Sequence, residues 1–230
     1  MPTKPRNFKE GGYYHIYNRG VEKRTIFTTK RDYQRFLATL IYYRKNQGLP
    51  YAIYERLNPT AKLLQESANP TGLQERIKII AYCLMPNHYH LVLKLTNTDG
   101  ISQFVSDIQN SHTRYFNEKY ERTGVLFQGT FEAREVRDGS SLLQLTRYVH
   151  LNPVTPIKSN PTGLIKTPQS WLYSSYLEWI GLKNPHIADK EEVQRWLSLA
   201  NGAQNYKEFT EAKIGKDLAL ELGNLALDGS

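Results

Sequence analysis

The chain has 230 residues, and its 30 Lys and Arg against 22 Asp and Glu give a net charge of +8. Hydrophobic residues make up 40% of the composition, which is typical of a globular protein and argues against disorder. The single cysteine, Cys83, excludes a disulfide framework and a zinc site built from several thiolates. The longest apolar run, residues 79–85, is too short to cross a membrane, and the first residues lack the apolar segment of a secretion signal. These features predict a soluble protein of a reducing, cytoplasmic compartment.

The positive charge is concentrated at the N-terminus. Residues 1–47 hold 11 Lys and Arg against 3 Asp and Glu, whereas residues 187–230 hold 5 against 8. The same N-terminal segment is rich in Tyr and Phe. Cations neutralise phosphates and rings stack on unpaired bases, so this mixture favours a nucleic-acid partner, particularly a single strand. A solvated basic face over an ordinary aromatic core would have the same composition.

The first predicted elements are a strand and a helix. Residues 13–19 alternate weakly and are rich in tyrosine, which predicts a strand. Apolar residues recur at helical spacing within residues 29–46, which predicts a helix. Residues 51–57 are interpreted as a second strand, and residues 58–72, with two Asn-Pro steps, as an irregular insertion.

The central part of the chain predicts a hairpin followed by a helix. Residues 76–85 and 88–95 are two strand-like runs joined by a tight turn at Pro86-Asn87. Residues 99–120 carry an apolar stripe at helical spacing. Residues 130–136 are interpreted as a short edge strand.

The C-terminal part predicts a capped helix and a helical extension. Asp138 and the serines after it supply N-cap chemistry for a helix over about 140–152, which Pro153 ends. A Pro-rich linker and further helices follow. The order of elements predicts an α+β fold, a mostly antiparallel sheet with helices packed on it and a helical C-terminal extension. We place the domain boundary so that residues 1–157 form the first domain and residues 158–230 the extension.

Two histidines on the second strand of the hairpin are the most informative feature of the sequence. Residues two apart in a strand point to the same face, so His88 and His90 share one face. The opposite face is fully apolar and is predicted to face the core; it holds Tyr89, Leu91, Leu93 and Leu95. Two imidazoles side by side on a rigid strand are a ready metal-binding pair. Core histidines bonded to backbone, or a surface pair, are the alternatives.

Five segments together resemble one family. The run YCLMPNHYHLVLK (82–94) resembles the signature of the HUH single-strand endonucleases, specifically the single-tyrosine, IS200-like transposases and their REP-associated branch. The other similar segments follow in the family's order: GYYHIYNRGVEKRTIF (12–27), SHTRYFNEKYERTGVLFQGTFEA (111–133), LTRYVHLNPV (145–154) and SWLYSSYLEWIG (170–181). The resemblance covers residues 12 to about 181. It implies a ferredoxin-like or RRM-like HUH core in a bacterial, nucleoid-associated protein.

The resemblance also implies a set of site residues. His88, His90 and Asn152 would bind a divalent metal, Mg²⁺ or Mn²⁺, and Tyr148 would be the nucleophile. The spacing of Tyr148 and Asn152 permits both to reach one site, because residues four apart lie on one face of a helix. The substrate would be single-stranded or hairpin DNA, cut and rejoined through a 5′-phosphotyrosine. The basic turn with Asn18, Arg19, Lys23 and Arg24 is a candidate DNA contact, or else a plain solvated loop.

Several alternatives stay open at this stage. Tyr148 also suits packing at the edge of the core, and Asn152 suits a helix cap before Pro153. The chain would then be a non-cleaving nucleic-acid-binding protein of the same fold, or a metal hydrolase that uses the histidines with water. Related enzymes include monomers and dimers, so a monomer or a homodimer is expected.

Overall fold

The structure is a computed structural model, and it describes residues 7–45, 48–68, 75–154, 164–216 and 218. Four strands form one antiparallel sheet in the order β2-β3-β1-β4. Their bounds are β1 Tyr13–Arg19, β2 Ile77–Met85, β3 His88–Leu95 and β4 Glu132–Val136. The predicted hairpin, its turn at Pro86-Asn87 and the edge position of β4 are confirmed.

Eight α-helices accompany these strands in the described part of the chain. They are α1 Lys30–Tyr43, α2 Tyr51–Tyr54, α3 Pro59–Ala68, α4 Gly100–Lys119, α5 Gly139–Leu151, α6 Tyr176–Trp179, α7 Lys190–Leu199 and α8 Ala203–Glu211. The α+β class and the helical C-terminal extension are confirmed. No described helix is long and apolar enough to span a bilayer.

The sheet is covered on both faces. Tyr89, Leu91 and Leu93 pack against α1 and α4 in one core. Val92, on the face that carries the histidines, belongs to a second core with α5 and the C-terminal helices. The sequence predicted the first of these cores. The second exists because α5 and the C-terminal helices return to the opposite face, and it buries His90 completely.

The predicted strand at 51–57 is wrong, because residues 51–54 form α2. Alternation over so few residues does not separate a strand from a helical turn. Pro50 precedes the first turn, and the amide of Tyr51 donates to the hydroxyl of Tyr43 at 2.7 Å. The rings of Tyr51 and Tyr54 then contact the ring of Tyr42 on α1. A single turn of helix places both rings against Tyr42, since residues three apart share one helical face.

The predicted irregular insertion at 58–72 is wrong over residues 59–68, which form α3. The side chain of Asn58 accepts a hydrogen bond from the amide of Ala61 at 2.8 Å, and Pro59 occupies the first helical position. Both are standard features of a helix start. Residues 69–72 lie outside the described part.

The C-terminal segment packs against the sheet and α5. Trp196 of α7 and Tyr206 of α8 are buried in the second core. Glu192 of α7 binds Lys94 of β3 at 2.7 Å and accepts a hydrogen bond from Tyr13 of β1 at 2.7 Å. The predicted linker lies mostly outside the described residues, as does the domain boundary between 157 and 158.

Candidate functional site

The histidine pair lies at the start of β3. The centroids of the His88 and His90 rings are 5.0 Å apart, and the ring planes are nearly perpendicular. The pairing of β1 with β3 sets Arg19 opposite His88 and Tyr17 opposite His90. Paired residues of an antiparallel sheet project to the same face, so these two residues flank the histidines.

Helix α5 brings two further predicted residues to the same place. Asp138 starts this helix by accepting a hydrogen bond from the amide of Ser141 at 2.8 Å. One turn from its end, the ring of Tyr148 lies 5.4 Å from that of His90, edge to face. The Oδ1 atom of Asn152 lies 3.1 Å from Nε2 of His88. The structure therefore brings together the four residues that the resemblance selected.

Both histidines are held in the neutral form. Burial lowers the pKa of His88 to about 4; its hydrogen bond to Asn152 opposes this and the nearby charge of Arg19 adds to it. Burial also lowers the pKa of His90 well below its usual value, with smaller contributions from His88 and His15. Neutral imidazole keeps a lone pair on one ring nitrogen. Both rings are therefore in the protonation state that a metal ligand requires near neutral pH.

One ring nitrogen of His90 has no hydrogen-bond partner in the part of the chain that the structure describes. Its Nε2 atom is buried and makes no hydrogen bond within the described residues. Its Nδ1 atom lies 3.0 Å from Nε2 of His15. A buried polar atom without a partner is costly, and such atoms in native proteins often mark a bound ion or a water.

These atoms form a donor set that fits a divalent cation. Two neutral imidazoles and the amide oxygen of Asn152 are nitrogen and oxygen ligands suited to Mn²⁺, and to Mg²⁺ with additional oxygen ligands. No cluster of three or more His, Cys, Asp or Glu suited to a metal occurs among the described residues. The fit therefore depends on Asn152 as much as on the histidines.

His15 is the site residue whose role sequence reasoning did not assign. It is fully buried on β1, bonded to His90 at 3.0 Å, with its ring 6.2 Å from that of Tyr148. Strand alternation places His15, Tyr17 and Arg19 on one face of β1, which was visible in the sequence. The neighbouring strand and its register were not, because they depend on the fold of the whole sheet.

Tyr148 is buried as well as close to the histidines. Only 4% of its surface is exposed, and it belongs to the second core. The two sequence interpretations of this tyrosine, core packing and a site residue, are thus both compatible with its position.

The basic turn divides into buried and exposed parts. Asn18 is buried, and its Oδ1 accepts a hydrogen bond from the amide of Arg19 at 2.8 Å. Arg19 donates to Gln128 at 2.8 Å, while Lys23 is exposed and Arg24 is half-buried. A Cβ on Gly20 would lie 2.2 Å from the carbonyl oxygen of Arg24, so only glycine allows this tight turn. The turn presents Lys23 to solvent at the end of β1, next to the start of β3.

Two other tyrosines lie away from the histidines. Tyr115 and Tyr120 donate to the two carboxylate oxygens of Asp32, each at 2.8 Å, beside α1 and α4. Burial would raise the pKa of Asp32, but hydrogen bonds from Lys119, the Thr29 amide and both tyrosines hold it well below its usual value. These tyrosines stabilise the packing of α4 on α1.

Part of the N-terminal basic charge also lies away from the histidines. A cleft of about 790 Å³ between α1, α2 and α4 is lined by Arg31 and Arg35 from this segment, together with acidic and polar side chains. Arg35 is largely buried there, 3.6 Å from Glu55 and stacked over the ring of Tyr115.

Comparison with known proteins identifies the family. The sequence model of the family described as "Transposase IS200 like" matches residues 9–152. That span is more than half of the chain and contains all four clustered residues. The chain belongs to this family of transposases.

Individual proteins are also similar to this chain. A protein of Haemophilus influenzae assigned as a REP-associated tyrosine transposase is 28% identical over 108 residues, which cover 42% of this chain and 57% of that protein. A solved structure of a REP-associated tyrosine transposase bound to a REP hairpin aligns with a TM-score of 0.53 at 17% identity, covering 82% of this chain and 91% of that one. The second likeness supports the α+β fold.

Proposed function

We propose that this protein is a metal-dependent, single-strand DNA endonuclease and strand transferase with one catalytic tyrosine, acting on hairpin-bearing DNA. The observation that carries the proposal is the meeting of α5 with β3. Asn152 lies 3.1 Å from His88, and the Tyr148 ring lies 5.4 Å from His90. Family membership supports a role in DNA processing, and the similarity to a transposase solved with a REP hairpin supports the choice of substrate.

The reaction uses the phenol oxygen of Tyr148. This oxygen attacks the scissile phosphorus in line, forming a P–O bond to the tyrosine while the P–O3′ bond breaks. The phenol proton is lost to solvent, and the departing 3′-oxygen takes up a proton to become a free hydroxyl. The product is a 5′-phosphotyrosine on the downstream fragment. Phenolate is also a fair leaving group, so a free 3′-hydroxyl can reverse the step without ATP.

His88, His90 and Asn152 would hold the divalent ion, Mg²⁺ or Mn²⁺. When bound, such an ion polarises a phosphate oxygen and stabilises the negative charge that develops on it. The neutral state of both imidazoles supports this role, because a neutral ring carries only one proton and keeps a lone pair on its other nitrogen. His15 would orient His90 through the 3.0 Å contact between their rings.

The basic turn would contact the DNA backbone. Lys23 is exposed, and Arg19 and Arg24 lie on the same turn at the end of β1. The buried side chain of Asn18 would act indirectly, because it holds the amide of Arg19 and so shapes the turn. Contacts of this kind position a strand without reading its sequence.

The burial of Tyr148 favours one rival function. A tyrosine that is 4% exposed suits a non-cleaving protein of the same fold, which binds hairpin DNA and keeps Tyr148 only for packing. The two functions differ in one product. Cleavage leaves DNA covalently attached to the protein, and binding alone does not.

The test is a denaturing gel with end-labelled DNA. The substrate is a hairpin-bearing single strand taken from beside the gene, labelled at either its 3′ end or its 5′ end. With Mn²⁺ present, the 3′ label should migrate with the protein, and the 5′ label should appear on a shorter strand with a free 3′-hydroxyl. A chelator should abolish both products. Retention of DNA in native gels without any covalent product would establish the non-cleaving alternative.

A further inference from the structure

The buried side of α5 carries a histidine that the proposed reaction does not use. His150 lies between Tyr148 and Asn152 in sequence, but it points away from them and is fully buried. Its Nδ1 atom lies 2.8 Å from the hydroxyl of Tyr206 on α8. Its Nε2 atom lies 2.8 Å from Oγ of Ser175, just before α6. A single imidazole therefore joins α5 to two separate segments of the C-terminal extension.

The hydrogen bonds around His150 form one chain with a single direction. The hydroxyl of Tyr206 donates to Oγ1 of Thr146 at 3.0 Å, so His150 Nδ1–H must donate to the Tyr206 oxygen. The other ring nitrogen then accepts from the hydroxyl of Ser175 at 2.8 Å, a shorter contact than the 3.4 Å from the same hydroxyl to the carbonyl of Tyr82. Thr146 in turn donates to the carbonyl of Leu143 at 2.9 Å. With this assignment each hydroxyl uses its one proton once, and both nitrogens of His150 have a partner.

The far end of this chain is anchored to the sheet. The amide of Tyr82 on β2 donates to Oγ of Ser175 at 2.9 Å. The amide of Ser175 donates to the carbonyl of Tyr82 at 3.0 Å, so residue 175 is fixed to the edge strand by its backbone as well. Strand β2 is the hairpin partner of β3, which carries His88 and His90. These hydrogen bonds thus connect the hairpin of β2 and β3, which carries the histidines, with α5.

Helix α8 contacts the same side of α5 at a second point. The guanidinium of Arg147 lies over the ring of Phe209 at 4.2 Å. The ring of Tyr206 packs on Trp179 at 4.6 Å, so the hydroxyl that meets His150 is itself held in place. These contacts restrict the rotation of α5 about its axis. That rotation determines the direction of the opposite face, which carries Tyr148 and Asn152.

We propose that His150 is a positioning residue for DNA cleavage, which fixes the rotation of α5 through Tyr206 and Ser175 and thereby sets Tyr148 and Asn152 against the histidines. The C-terminal helices are then part of the catalytic apparatus. The inference rests on the proposed function, because it requires Tyr148 to be the nucleophile. A tyrosine oxygen lies roughly 9 Å from its helix axis, so a rotation of about 10° moves it by about 1.5 Å. A displacement of that size is enough to slow an in-line reaction by about 100-fold.

The test compares two tyrosines of the C-terminal extension. Tyr206→Phe removes the hydroxyl that meets His150. Tyr176→Phe is the matched control, because its hydroxyl bonds Glu211 at 2.9 Å and makes no hydrogen bond to α5. Three quantities are measured for each variant: the single-turnover rate of adduct formation at saturating DNA with Mn²⁺, the Kd for a strand that cannot be cleaved, and the melting temperature.

We expect Tyr206→Phe to lower the rate of adduct formation by about tenfold or more, with Kd changed less than about twofold. Tyr176→Phe should lower the melting temperature by a similar amount but keep the rate. Equal rates in the two variants would overturn the positioning role and leave His150 as a stabilising core residue. Ser175→Ala tests the other end of the chain and should slow the same step. His150→Asn, which retains a donor near the Nδ1 position, should be faster than His150→Ala.

Tyr148→Phe in the same assay separates the two proposals. If Tyr148→Phe abolishes the adduct while Tyr206→Phe forms it at the full rate, only the positioning role is wrong. If Tyr148→Phe still forms the adduct, the proposed nucleophile is wrong and the positioning role is overturned with it.

Discussion

The side chains of His88 and Asn152 meet at 3.1 Å although 64 residues separate them in the chain. One lies at the first position of β3 and the other directly follows α5. Their contact fixes the position of the C-terminal end of α5 relative to β3. It also places the amide oxygen of Asn152 beside two neutral imidazoles.

The first prediction concerns the nucleophile. Tyr148→Phe removes one oxygen and keeps the ring that packs beside His15 and His90. We expect it to lose cleavage and the covalent adduct, while DNA affinity stays within about twofold and stability changes by less than about 1.5 kcal/mol. Tyr115→Phe, which loses a hydrogen bond to Asp32 away from the histidines, should cleave normally. Cleavage by Tyr148→Phe at the wild-type rate would contradict the assignment.

The second prediction concerns the metal. Replacing His88, His90 or Asn152 by Ala should weaken Mn²⁺ binding by about 100-fold or more, measured by calorimetry on the protein without DNA. Each variant should also stop Mn²⁺-dependent cleavage. His112→Gln is the control, because His112 is a buried histidine on the other side of the sheet, bonded to the carbonyl of Ile26 at 2.8 Å. Undiminished Mn²⁺ binding by the double variant of His88 and His90 would rule out this ligand set.

The third prediction concerns the basic turn. Each phosphate neutralised on a single strand contributes about −0.7 to the slope of log K against log salt concentration. Replacing Lys23 and Arg24 by Gln should therefore flatten that slope by about 1.4 without moving the cleavage position. Lys183→Gln with Lys190→Gln is the matched control, since it removes the same charge from exposed residues of the C-terminal extension. If both double variants flatten the slope equally, net charge rather than the turn accounts for the affinity.

The fourth prediction concerns stability at low pH. Burial lowers the pKa of His112 from 6.5 to about 4; the hydrogen bond to the Ile26 carbonyl opposes this. Between these values the unfolded chain binds a proton that the folded chain does not, so the free energy of unfolding falls as pH falls. His112 alone should lower the free energy of unfolding by about 1.6 kcal/mol between about pH 6.5 and about pH 5.

Urea unfolding at a series of pH values measures this effect. His112→Gln keeps an amide donor for the carbonyl of Ile26 and cannot titrate, so its stability should depend less steeply on pH. The buried His150, whose pKa is lowered to about 3, contributes in the same direction in both proteins. A pH dependence that is unchanged in His112→Gln would show that His112 is already protonated, or already exposed, in the folded state.

The periodicity of the sequence was enough to determine several features of this protein. Alternation over residues 88–95 placed His88 and His90 on one face of a strand, and the structure agrees. The spacing of Tyr148 and Asn152 placed both on one face of a capped helix, which the structure also contains. These features are local, because the side-chain direction within an element follows from backbone geometry alone. The segment at 51–57 was mispredicted, since a few residues carry too little periodicity to separate strand from helix. The segment at 59–68 was mispredicted as irregular, because its Asn-Pro step begins a helix and not a loop.

Only the tertiary structure decided which faces meet. The register of β1 against β3 brings His15 to His90, and the return of α8 onto α5 brings Tyr206 to His150. Periodicity predicts which face of its element a side chain occupies, but not which distant residue it contacts. Strand order, register and helix placement are set by the burial of apolar side chains in the two cores. Because every element contributes side chains to these cores, the free energy of folding depends on all of them together. Residues 75 apart in the chain, such as His15 and His90, can therefore bond in a way that neither local sequence predicts.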